Sequence, residues 1–118
     1  MSVIGWKLDR DEREALLRRL PPRYGERVAD HVTLEKREAP LPDDVAAQIV
    51  GRTDDGDGVE AMVVALDGST DRPDGSTFHI TWSLAPGRRA VESNNVIRER
   101  GWERFDEPVP VSVTPARF

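Results

Sequence analysis

The chain has 118 residues, no cysteine and a formal net charge of −5. That length supports a single hydrophobic core, so one domain spanning residues 1–118 is expected. The missing cysteines exclude disulfides, thiol catalysis and cysteine-based zinc sites, and they suit a reducing, cytoplasmic setting. A hydrophobic fraction of 37% beside 33% charged residues is globular composition, not disorder. No apolar run approaches membrane-spanning length, and Met1-Ser2-Val3-Ile4-Gly5-Trp6 is too short for a signal sequence. Proteins that grip a long phosphate backbone carry clustered positive charge. Here the signs are mixed along the chain, so a nucleic-acid ligand would make a short contact: one terminal nucleotide, or a free cyclic nucleotide.

In chain order, residues 3–8 read as a strand with Ile4, Trp6 and Leu8 on one face. Asp9 is a suitable N-cap, with Glu12 at the capping-box position. Ala15, Leu16, Leu17 and Leu20 then form a helical stripe over residues 10–20, stopped by Pro21-Pro22. Residues 21–26 make a connector that carries Tyr24, the only tyrosine. A strand over 29–35 follows, and then a loop over 36–44 containing Pro40 and Pro42. Residues 45–53 and 59–66 form a hairpin around Asp54-Asp55-Gly56-Asp57-Gly58, whose Asp-Gly pairs favour tight turns. That acidic run lacks the ligand spacing of a calcium loop.

Residues 67–76 are a polar loop leading into a strand over 77–84. After a turn at Pro86-Gly87-Arg88-Arg89, Ser93 is placed to cap a helix from Asn94 to Arg100 that ends at Gly101. A final strand over 109–115 puts Val109, Val111 and Val113 on one face. Pro108, Pro110 and Pro115 assign it to a sheet edge. The order β-α-β, β-β, β-α-β predicts an α+β fold: pseudo-symmetric, antiparallel-rich sheets with helices on the outer face and an open cleft on the other.

Two of these strands share a pattern. In Thr77-Phe78-His79-Ile80-Thr81-Trp82-Ser83-Leu84 the apolar side chains fall on one face, and His79 and Thr81 fall on the other. In Ala29-Asp30-His31-Val32-Thr33-Leu34-Glu35 the same alternation puts His31 and Thr33 together. Both histidines of the chain therefore sit in a His-apolar-Thr-apolar motif.

At these residues the sequence resembles the 2H phosphoesterase superfamily, marked by paired His-x-Thr/Ser motifs on two central strands. His31-Val32-Thr33-Leu34 and His79-Ile80-Thr81-Trp82 fit the pattern position for position, although Trp82 is an uncommon occupant of its place. The motifs lie closer together than in the larger members, which implies a compact form. Val91-Glu92-Ser93-Asn94-Asn95 is similar to the small RNA-repair-associated branch. The resemblance implies hydrolysis of 2′,3′-cyclic phosphates on RNA ends or nucleotides. Two-histidine chemistry needs neither metal nor cofactor, and a monomer is expected.

Opening a cyclic phosphodiester needs a base for the attacking water, an acid for the leaving ribose oxygen, and donors for the non-bridging oxygens. His31 and His79 suit the first two roles. Thr33 and Thr81, each about 6–7 Å along the strand from its histidine, suit the third. Arg88, Arg89, Ser93 and Tyr24 are further substrate-binding candidates, and Lys7 could edge the cleft, as could Trp6, which reads first as a core residue. A serine triad would leave one His-x-Thr motif unexplained. A glycosidase would need two carboxylates that no pattern selects. Two other readings remain open: a non-catalytic module binding a phosphate or RNA end, and a 2′-5′ ligase-like enzyme.

Overall fold

The computed structural model describes residues 2–118. Strand β1 is Ile4–Leu8, with Ile4, Trp6 and Leu8 buried as their alternation predicts. Helix α1, Arg10–Arg19, is capped by Asp9, whose side chain accepts from the Asp11 amide. Glu12 does not close the expected capping box. Its carboxylate instead accepts from the Ser112 amide at 3.2 Å and ties α1 to the far end of the chain.

A short strand β2, Glu26–Arg27, which the sequence did not suggest, pairs with β6, His79–Leu84. The amides of Val28 and Ala29 extend that pairing to the Trp82 and Thr81 carbonyls. At Ala29, which is buried with φ 37°, the chain turns away and becomes β3, His31–Glu35. Arg13 secures this bend, donating to the Arg27, Val28 and Ala29 carbonyls. β3 pairs antiparallel with β1, Lys7 opposite His31. Gly5 allows this approach, because a Cβ there would lie 2.0 Å from the Val32 carbonyl oxygen.

The hairpin forms from β4, Ala47–Asp54, and β5, Val59–Leu66. After β6 comes helix α2, Glu92–Arg100, whose cap position is Val91 without a side-chain capping bond. Ser93 is therefore inside the helix and is not its N-cap. The single predicted last strand is two, β7 (Glu103–Val111) and β8 (Val113–Arg117), broken at Ser112. One sheet has the order β3-β1-β8 and the other β2-β6-β5-β4-β7. The proline-bearing β7 and β8 are both edge strands, as proline's missing donor requires.

The fold is α+β, built on two antiparallel sheets. Trp6, Leu8 and Val32 of the smaller sheet pack with Ile49, Met62, Val64, Ile80 and Trp82 of the larger and with Leu16 and Leu17 of α1. The helices do not share a face. Val50, Val63 and Ala65 point away from that core and are covered by Ile97 of α2, assisted by Trp102. α2 thus lies on the same side of the larger sheet as His79 and Thr81, and forms a wall of the cleft where an open surface was expected.

Candidate functional site

Residues from both sheets and from α2 meet around a cavity of about 270 Å³. His31 and Thr33 line it from β3, His79 and Thr81 from β6, and Ala90, Val91 and Asn94 from α2 and its approach. Strand alternation delivers both pairs, since Val32, Ile80 and Trp82 occupy the opposite face.

The two imidazoles have different partners. His79 Nδ1 lies 2.8 Å from the Thr77 carbonyl oxygen, which can only accept. Nδ1 therefore carries the proton and Nε2 is left as an acceptor. His79 is only 9% exposed. Burial lowers its pKa from the ordinary 6.5; Arg72 and His31 nearby act the same way, against the Thr77 carbonyl. His31 Nδ1 instead lies 3.0 Å from the Asp30 carboxylate. Burial alone would raise the Asp30 pKa. Hydrogen bonds from Lys7, His31 and Arg10 outweigh it and hold the carboxyl well below the usual range. A fixed negative charge thus stands behind His31 and can form an ion pair with its protonated ring. The Phe118 ring packs against His31 at 4.3 Å between centroids, tilted by 46°.

The two threonines also differ. Thr81 Oγ1 is 2.9 Å from Ser93 Oγ and 3.3 Å from the Ala90 carbonyl oxygen. Ser93 is 0% exposed, so it reaches the cavity only through Thr81. If Ser93 donates to Thr81, the Thr81 proton can turn from Ala90 towards an oxygen in the cavity.

The other candidates lie elsewhere. Arg88 is held by Asp55 and Glu92 and donates to the Asp57 carbonyl, across the β4–β5 turn. Arg89 contributes its amide to the Glu92 carboxylate, and its side chain does not line the cavity. Tyr24 donates its hydroxyl to Asp54 at 2.6 Å, also away from the cavity. Trp6 is core, while Lys7 approaches the site through its ion pair with Asp30.

Sequence reasoning missed Arg72, Lys36, Asn94 and Phe118, all of which line the cavity. Arg72 is only 7% exposed. Its Nε donates to Asp74 and its Nη2 to Asn94, which aims the guanidinium. The residue lies in a loop with no periodicity, so only its unusual company of turn-forming Asp, Pro and Gly could have flagged it. Among the described residues, no group of three or more His, Cys, Asp or Glu gathers as a metal site would require. No described helix is long and apolar enough to cross a membrane.

Comparison with protein families, with curated proteins and with solved structures finds no match to this chain.

The depressed His79 pKa has a consequence for folding. Below pH 6.5 the unfolded chain protonates this residue more readily than the folded one. Its contribution to stability is present above that pH and is lost as pH falls through the folded-state value. Urea midpoints at pH 7.5 and 5.5 are expected to show a smaller acid-induced loss in His79→Asn than in the unaltered protein.

Proposed function

We propose that this protein is a metal-independent phosphodiesterase that hydrolyses 2′,3′-cyclic phosphates of RNA ends or nucleotides, acting as a cytoplasmic monomer. One observation carries the reading: both imidazoles and both Thr side chains border one small cavity, and the two rings have contrasting partners.

His79 serves as the base, because its Nε2 is unprotonated in the resting tautomer and its lowered pKa keeps it so at neutral pH. It takes a proton from water as the water oxygen bonds to phosphorus. His31 serves as the acid, backed by Asp30, and gives a proton to the ribose oxygen as the ring P–O bond breaks. Thr33 and Thr81 donate to the non-bridging oxygens, with Arg72 and Lys36 supplying positive charge beside them. One proton enters at His79 and one leaves at His31, so a second transfer through solvent restores the resting enzyme.

The test is incubation of purified protein with 2′,3′-cyclic nucleotides and short RNAs ending in cyclic phosphate, with a chelator present. Turnover is expected between pH 5 and 8. Absence of product throughout that range would overturn the hydrolytic reading, and saturable binding without product would identify a phosphate-binding module. Ser93→Ala is expected to slow turnover about tenfold, less than loss of either imidazole, because it removes the partner that lets Thr81 donate. Steady-state kinetics alongside the melting curve separate that effect from destabilisation.

A further inference from the structure

The cavity holding the histidines is small. At about 270 Å³ it falls just below the range of roughly 300–1,000 Å³ usual for small-molecule sites. It does not stand alone. Arg72 and Asn94 line it on one side and on the other line a groove of about 590 Å³ that ends at Trp102. The Arg72–Asn94 hydrogen bond, 3.0 Å long, forms the shared wall.

We propose that this groove is a subsite for the nucleotide on the 5′ side of the cyclic phosphate, making a short single-stranded RNA end a better substrate than a free cyclic mononucleotide. The inference rests on the phosphodiesterase reading for its direction, but its own support lies in the groove's chemistry. Arg72 is a buried cation at one end, and Arg98 is an exposed cation along the side. The Asp74 carboxylate in the same wall is already engaged by Arg72 and Ser76.

Trp102 supplies an aromatic surface at the far end. A Cβ on Gly51 would lie 2.3 Å from its ring, so the indole is seated directly on β4. The Arg104 guanidinium, outside the groove lining, lies 4.7 Å from the ring centroid and helps to fix the indole. Two cations along a groove that ends at an aromatic residue suit a sugar-phosphate strand with a base packed against the indole. The hollow on the other side of Arg72, bounded by Lys36 and Arg37, has no aromatic lining residue. The 5′ nucleotide is therefore assigned to the Trp102 side.

Two measurements test this. The first compares kcat/KM for a 2′,3′-cyclic mononucleotide with that for a dinucleotide ending in the same group. The dinucleotide is expected to be favoured about tenfold or more, mainly through KM. Arg98→Glu and Trp102→Leu should each remove most of that advantage while leaving the mononucleotide value unchanged. Arg98 is exposed, so its variant does not depend on core packing.

The second uses a dinucleotide 3′-monophosphate, which has no cyclic ester to open. Trp6 and Trp82 are 4% and 0% exposed, so a saturable change in tryptophan fluorescence on titration reports Trp102. It should disappear in Trp102→Leu and weaken about tenfold in Arg98→Glu. Equal kcat/KM for the two substrates, or no saturable change, overturns the subsite even when mononucleotide hydrolysis is found. Saturable binding with no hydrolysis of either cyclic substrate sustains the subsite and overturns the phosphodiesterase reading.

Discussion

His79→Ala is expected to lower kcat/KM for a 2′,3′-cyclic nucleotide by at least about a hundredfold, the usual scale for losing a positioned acid–base group. The residue offers an unprotonated Nε2 because the Thr77 carbonyl holds the proton on Nδ1. Its lowered pKa puts the acidic limb of the pH–rate profile below 6.5. In the unaltered protein the rate therefore rises with pH in that region. In His79→Ala this limb is lost. Recording the profile of the variant, with circular dichroism to establish that it is folded, checks the assignment. Retention of the limb in His79→Ala would overturn the role of His79 as the base.

Glu60→Ala is expected to cost about 3 kcal/mol of stability in urea unfolding. Its side chain is 0% exposed and accepts from the Arg23 amide at 3.0 Å, Ser83 Oγ at 2.7 Å and Arg52 Nη2 at 2.6 Å. Truncation leaves two donors without an acceptor and opens a cavity beneath β6. Arg52, more than a third exposed, can turn to water, which keeps the cost below that of stranding a fully buried cation. Glu60→Gln keeps an acceptor for Arg23 and Ser83 but turns a donor towards Arg52, and is expected to lose about half as much. A loss below about 1 kcal/mol for Glu60→Ala would show that solvent replaces these contacts.

The parts of the molecule legible in its sequence are those governed by short periods. Alternation located β1, the hairpin and both histidine strands, and prolines marked the last strand, which the structure divides into β7 and β8, for a sheet edge. Period-two reasoning also put each histidine beside its threonine. It could not see the break at Ser112, because Val111 and Val113 continue the same alternation although they belong to different sheets. Nearness in sequence does not bring Arg88 or Arg89 to the cavity: the Arg88 guanidinium is held by Asp55 and Glu92, and the Arg89 side chain does not line it. Arg72 and Phe118 reach the cavity through tertiary folding that no local pattern encodes. Ser93, a good cap by residue type, instead braces Thr81 from inside the helix, which begins at Glu92, two residues before the expected Asn94.

The bend at Ala29 puts His31 on one sheet while His79 stays on the other. The spacing of the two rings is therefore a property of how the sheets sit together, not of either sheet's own hydrogen-bond ladder. A slight slip along that seam would misalign proton donor and acceptor while every strand stayed paired. Arg13, clasping three carbonyls at the crossing, works as the rivet that keeps two stable plates in register.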